Sequence, residues 1–345
     1  RAVEQALRQI GADTRGASGT EDTGALLALA YPDRIGRRRA GGDARYALTN
    51  GRGAYFAEAQ SLAREELIVA VDLDDREREA RILLAAPLSR AALDEELADR
   101  LVRTEEVAWS SRDRAVIARR VVRLDELIVE EQPLPRVPTD GALAAMLTGV
   151  RELGLDALPW TRETRELQAR IELVRRMQEG GAADWPPSDD AALLATLEEW
   201  LARWLDGITR SEQLARIPLH DALLARLDYA HQRRLEELAP THLAVPSGSR
   251  IRIDYVDESA PVVAVRLQEV FGLEDTPRVV GGKMPVTFKL LSPAQRPVQV
   301  TRDLASFWRG AYAEVRKDLR GRYPRHHWPE NPLEAEPTRG AKRKS

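Results

Sequence analysis

Residues 45–56 read RYALTNGRGAYF. Two short runs of alternating character, 45–48 and 54–56, flank Asn50-Gly51-Arg52-Gly53. Asn and Gly accept the positive φ that a tight hairpin needs, so the stretch predicts two antiparallel strands. Working outward, residues 67–73, 81–86, 106–110 and 116–124 repeat the strand pattern, with a turn at Ser111-Arg112-Asp113 and a helix over 90–101 interrupting them. Short strands joined by turns predict a small closed or partly open barrel, of which the oligonucleotide-binding (OB) barrel is one form. The three prolines of Gln132-Pro133-Leu134-Pro135-Arg136-Val137-Pro138 end that region, because proline fits neither a central strand nor a helix interior.

Upstream, residues 1–10 have helical period, 11–24 are small and glycine-rich like a linker, and a short helix over 25–30 stops before Tyr31-Pro32. The chain starts at Arg1 within a helical period and without methionine, which points to a fragment or a processed product. Downstream, residues 139–240 are nearly all helical in pattern. Asp140, Thr161 and Asp189 or Asp190 stand where helix caps belong, and Trp200 and Trp204 share a helix face. From Pro246 the period returns to two: Ile251, Ile253 and Tyr255 alternate with Arg250, Arg252 and Asp254, and strands follow over 262–266, 286–291 and 298–301. A long helix is expected from Asp303 to Arg320, and residues 329–345, rich in proline and charge, are expected to be disordered. The predicted fold class is α+β: an OB-like barrel (25–138), a helical region (139–240), and a mixed sheet domain (241–328) ending in a long amphipathic helix.

The 345 residues contain no cysteine, which excludes disulfides, cysteine-ligated zinc and thiol catalysis. No apolar run approaches the ~18–20 residues of a membrane span, so the expectation is a cytoplasmic protein with no membrane contact. The net charge of −3 conceals an asymmetry: residues 296–345 carry 12 basic and 6 acidic side chains. A basic end on an acidic body is an electrostatic footprint for an anionic partner.

Catalytic patterns fail one by one. Gly281-Gly282-Lys283 resembles a phosphate loop, but Pro277 stands where the first glycine belongs and Met284 where the metal-binding hydroxyl belongs, so a hairpin turn is the better reading. His326 and His327 are adjacent, a spacing that turns them away from a shared ion, and no serine elbow is present. The C-terminal helix is more informative. Leu304, Phe307, Trp308, Ala311, Tyr312, Val315 and Leu319 make an apolar stripe that reads as core. Arg309, Arg316 and Arg320 lie on the other face, followed by Arg322, Tyr323, Arg325 and Trp328. Arginines interleaved with aromatics can hold phosphates and stack bases, or simply form a solvated surface with cations at a helix C-terminus. Arg37-Arg38-Arg39 is a second phosphate-contact candidate.

Several blocks also resemble a known family. Leu290-Leu291-Ser292-Pro293-Ala294-Gln295-Arg296-Pro297, Thr301-Arg302-Asp303-Leu304 with Phe307-Trp308, and Gly321-Arg322-Tyr323-Pro324 with Trp328-Pro329 resemble the C-terminal signature of the HrpB branch of the bacterial DEAH/RHA ATP-dependent helicases. Residues 26–35 (LLALAYPDRI) resemble the entry to the OB domain of that family. The resemblance implies that residues 1–24 are the end of a helical ratchet-type domain and its linker. It also implies that ATP and Mg belong to RecA-like domains upstream, since this chain has neither a P-loop nor a DEAH motif, and no catalytic residue carries over. The expected function is an accessory region that guides single-stranded RNA or DNA and hydrolyses no ATP itself. Its expected phosphate contacts are Arg309, Arg316, Lys317, Arg320, Arg322 and Arg325, then Arg37, Arg38 and Arg39, with Tyr323 and Trp328 stacking on bases. The rival expectation is a brace that docks the helicase core or another protein without touching nucleic acid.

Overall fold

In Arg45–Leu48 (β2) the alternation of the sequence is carried into space: Tyr46 and Leu48 are buried and Arg45 is exposed. This computed structural model describes residues 20–41, 44–74, 76, 78–177, 184–256 and 260–339. The expected helix over 1–10, the part of the expected linker over 11–19 and the last residues of the tail lie outside the described residues, whereas residues 20–24, expected as linker, are the first turns of the Thr20–Ala30 helix. The chain divides into two compact units, Arg1–Ala145 and Met146–Ser345.

In the first unit β2 pairs antiparallel with Ile35–Arg38 (β1) and with Gly53–Tyr55 (β3). Leu67–Asp74 (β4) pairs with β1 and with Ala80–Pro87 (β5), and β5 runs parallel to β3. The result is a closed barrel of order β1-β2-β3-β5-β4. Tyr46, Leu48, Ala54, Phe56, Ile68, Ala70, Ala80 and Ile82 form one buried cluster. A second cluster joins Ile35, Leu67 and Val69 to Leu27 and Ala28 of the Thr20–Ala30 helix and to Leu93 of the Arg90–Glu96 helix. Neighbouring residues of β4 therefore enter different clusters. Burial on both faces is why its sequence, LIVAV, is continuously apolar rather than alternating.

Two expectations for this region change. The segments expected as further barrel strands form a separate antiparallel sheet, Leu101–Ser110 (β6), Ala115–Leu124 (β7) and Leu127–Pro133 (β8), in the order β6-β7-β8. Its outer charges are paired across strands: Glu106 accepts from both Arg119 and Arg123, and Arg119 reaches on to Glu131. Hydrogen bonds from Arg123 and Arg119 hold the Glu106 carboxyl below its usual range against the cost of desolvation. The barrel reaches five strands instead through β1, whose Ile-Gly-Arg-Arg sequence reads as a basic run.

The second unit begins within the Thr139–Leu153 helix, which is kinked at Asp140 and Gly141. Arg162–Met177 follows, with Thr161 Oγ1 accepting from the Thr164 amide. The later part of the region expected to be nearly all helical is broken into short helices, first Asp190–Ala195, capped by Asp189, and Leu197–Leu201. Leu219–Leu224 and Tyr229–Leu238 follow, the latter capped by Asp228. Five strands, His242–Ala244 (β9), Arg250–Asp254 (β10), Val262–Arg266 (β11), Thr287–Leu291 (β14) and Pro297–Thr301 (β15), make a sheet of order β15-β14-β11-β10-β9. Arg278–Val279 (β12) and Met284–Pro285 (β13) form the hairpin that carries Gly281-Gly282-Lys283, and Lys283 Nζ donates to the Met177 carbonyl.

The C-terminal helix is not continuous. It runs over Leu304–Arg309, breaks at Gly310, and resumes over Tyr312–Arg322, passing through Gly321. The aromatic stripe is core: Phe307, Trp308 and Tyr312 are buried and lie 4.9–6.2 Å from one another between ring centres, with Phe271 6.3 Å from Trp308 and from Tyr312. Residues 329–339, expected to be disordered, lie against the sheet domain. The Gly272 amide donates to Pro332, the Thr338 amide to Gln268, and Arg339 Nε to Ser247.

Candidate nucleic-acid interface

On the side of the barrel formed by β2 and β3, Arg39 just after β1, Arg45 of β2 and Arg52 of the β2–β3 turn converge on the mouth of a single cleft. The parallel pairing of β3 with β5 sets Ala54 beside Ala80, so the residues just before β5, Arg78 and Glu79, come up beside Gly53. Together with Tyr55 these residues line an open cleft of about 870 Å³. Glu79 is the acidic residue among the described lining, and its two carboxylate oxygens are divided. Arg39 Nη1 donates to Oε1 at 3.2 Å and Arg45 Nη1 to Oε2 at 2.9 Å. Guanidinium groups present donors in a fixed fork that matches phosphate oxygens, and a half-buried tyrosine ring offers a flat apolar face. The cleft is thus chemically suited to a phosphodiester chain. Among the described residues no group of histidines and carboxylates can hold a metal ion.

The structure separates the basic residues singled out in the sequence. Of Arg37-Arg38-Arg39, Arg39 reaches the mouth just described. Arg37 is turned toward β8, donating to the Ile128 carbonyl at 3.1 Å and lying 3.6 Å from Glu66. Arg38 is exposed, in a second cleft of about 830 Å³ where Glu66, Glu126 and Glu131 offset the arginines.

At the C-terminus, Arg316 is committed to the fold: its Nε donates to the Trp328 carbonyl and its Nη2 to Glu330 at 3.0 Å. Trp328 is 8% exposed and its indole N–H donates to the Tyr323 carbonyl, so it is a core residue rather than a stacking platform. Arg309 folds back on the Ala305 carbonyl, and Arg322 pairs with Asp318 at 3.0 Å. Lys317, Arg320 and Arg325 are exposed, the first two on a helix that also carries Glu314 and Asp318 and the third in the turn beyond it. Tyr323 is half-buried, edge-on to His326. Burial, and then the charge of Arg266, pull the His326 pKa below its ordinary value. Arg316 and Trp328 are therefore corrected from contact candidates to bracing residues.

The mouth residues Arg45, Arg52, Tyr55 and Arg78 escaped the sequence reading. The signal was present in the hairpin itself, where arginine alternates with buried Tyr46 on one strand and a further arginine occupies the turn. Arg78, some 26 residues beyond Arg52, is brought in by the β3–β5 pairing alone, which no local pattern announces.

Comparison with known proteins supplies the context. Residues 200–332 match the family model described as the ATP-dependent helicase C-terminal region. Over 322 residues the chain is 40% identical to the ATP-dependent RNA helicase HrpB of Escherichia coli (strain K12), covering 93% of this chain and 39% of that protein. A crystal structure of the E. coli DExH-box NTPase HrpB aligns over 97% of this chain and 41% of that one, with 38% identity and a TM-score of 0.58. A second, of the E. coli DEAH/RHA helicase HrpB, aligns over 94% and 40% with 35% identity and a TM-score of 0.52. The chain spans about two-fifths of the length of these relatives. By family match, sequence identity and fold together, it belongs with the C-terminal region of the HrpB helicases.

Proposed function

We propose that this chain is the accessory nucleic-acid-binding region of an HrpB-type ATP-dependent helicase, acting in the cytoplasm. It guides a single strand of RNA or DNA across this cleft, while ATP and Mg are handled by a RecA-like core outside the sequence described. The observation that carries the proposal is the mouth itself, where Arg39, Arg45, Arg52 and Arg78 surround Tyr55 with one described carboxylate among them. The strand order β1-β2-β3-β5-β4, with β3 parallel to β5, also supports reading the barrel as an OB barrel, whose ligands lie on strands 2 and 3 and the adjoining loops. Lys317, Arg320 and Arg325 are a secondary set on the C-terminal unit.

One observation favours the docking alternative for the C-terminal unit. Its aromatic stripe, Phe307, Trp308 and Tyr312, is buried and its last helix mixes acidic with basic side chains, so among the described residues that helix does not concentrate positive charge as the mouth of the cleft does. The test is fluorescence anisotropy of a labelled single-stranded RNA titrated with the chain at several salt concentrations. Binding is expected to weaken steeply with salt. Arg52→Ala with Arg78→Ala is expected to cost about tenfold and to flatten the salt slope by about two, roughly one per phosphate contact removed. Arg320→Ala with Arg325→Ala is expected to have the smaller effect. Absence of binding at low salt overturns the proposal in favour of docking.

A further inference from the structure

Glu79 sits where an incoming phosphate would be drawn. The β3–β5 pairing fixes it beside Gly53, and its carboxylate bridges two guanidiniums that come from different strands. Gly53 is what lets the three groups meet: a Cβ there would lie 2.8 Å from Glu79 Oε1 and 3.1 Å from Arg39 Nη2. The seat therefore consists of bare backbone and two converging arginines. It holds a monoanion with two equivalent oxygens, which is also the description of a phosphodiester. Arginine pairs with carboxylate and phosphate through the same fork geometry. Arg39 and Arg45 are about half exposed while the carboxylate is 27% exposed, so solvent screens the ion pairs and they hold the carboxylate weakly.

Resting on the reading of the mouth as a nucleic-acid interface, we infer that Glu79 is a built-in competing anion. In the free protein it occupies the seat of one backbone phosphate, and a bound strand displaces it from Arg39 and Arg45. The carboxylate stays tethered within reach and refills the seat whenever a phosphate leaves. This limits how tightly the mouth holds any one nucleotide and lets a strand pass through it.

The experiment is the same anisotropy titration with single-stranded RNA, on the full chain, comparing Glu79→Gln, Glu79→Asp, Glu126→Gln and Arg52→Ala. Glu126 lies against the same turn, with its Cβ 3.8 Å from the position a Gly51 Cβ would take, and so reports the general effect of losing one carboxylate on this face. Glu79→Gln is expected to tighten binding several-fold and to steepen the salt slope by about one, well beyond Glu126→Gln, because two guanidiniums become available at once. Glu79→Asp, one methylene shorter, is expected to fall between wild type and Glu79→Gln. If Glu79→Gln matches Glu126→Gln, or weakens binding, Glu79 merely orients its arginines and the inference falls. Should Arg52→Ala still weaken binding in that case, the interface stands without it; should Arg52→Ala leave binding unchanged, the interface reading falls as well.

Discussion

Tyr46 illustrates how one buried side chain links local pattern to stability. It is fully buried, its ring lies edge-on to Phe56 at 5.7 Å, and its hydroxyl is 2.8 Å from the carbonyls of both Leu62 and Glu65. Burial pushes its pKa up to about 12, with the charge of Arg38 partly offsetting the shift. Below pH 10 the phenol is neutral folded and unfolded. Between about pH 10 and about 12 the unfolded chain ionises while the folded chain does not, so this contribution to stability is lost as pH rises through that window. Tyr46→Phe should cost about 1 kcal/mol near neutrality through the lost hydrogen bond, and should flatten the alkaline decline. Hydrogen exchange of the β4 amides at pH 8 and 10.5 checks this; equal loss of protection in both forms would refute it. The orientation of Tyr46 was legible, because alternation with Arg45 assigns the faces. The difference between Arg316 and Arg320 was not legible, four residues apart on one helix. What distinguishes them is the chain returning at Trp328 and Glu330 to occupy Arg316 alone.

Among the elements, period two identified strands correctly but could not name their partners. Residues 106–110 and 116–124 were recognised as strands, yet they pair one-to-one with each other and continue to β8, leaving the barrel to close through β1. Strand membership is local, whereas closure depends on which edges meet after folding, and the basic Ile-Gly-Arg-Arg of β1 hides a strand behind its charge. The Thr20–Ala30 helix shows the same dependence in its packing. At Gly24 an added Cβ would lie 2.0 Å from the Pro87 carbonyl oxygen and 3.1 Å from its carbon, both backbone atoms at the end of β5. In an exposed helix Gly→Ala stabilises by roughly 0.5–1 kcal/mol. Here the helix must move off the barrel, disturbing Leu27 and Ala28 in the shared core. The overpacking outweighs the propensity gain, and Gly24→Ala should lower stability by about 1–3 kcal/mol in a urea titration. A stabilised Gly24→Ala protein would show that the helix is not seated as described.

For the whole molecule, the charge asymmetry of the sequence does not predict where the fold gathers its basic groups. Several C-terminal basic groups are taken up by Glu330, Asp318 and backbone carbonyls, while among the described residues a cluster of arginines lines a cleft in the first unit. Composition located a basic end; only topology locates a basic cleft. The C-terminal segment itself became structural, since proline and charge exclude a helix without excluding an extended strap. Between Pro332 and Arg339 this strap accepts from the Gly272 amide and from Arg266 Nη1, and donates from the Thr338 amide to Gln268 and from Arg339 Nε to Ser247. Buried Gln268, held by this strap, also contacts His326 and the His327 carbonyl, so the strap and the turn after the last helix support one another. Four hydrogen bonds at about 1 kcal/mol each set an upper limit of about 4 kcal/mol on what the strap contributes. A chain ending at Asn331 should therefore melt several degrees lower in its second unit than one ending after Arg339, which keeps all four bonds. Because the barrel belongs to the other unit, the protection of its β4 amides should be the same in both truncations. Equal melting of the two truncated chains would mean that the strap lies on the domain without holding it, and the second unit would then owe its stability to the helix and sheet core alone.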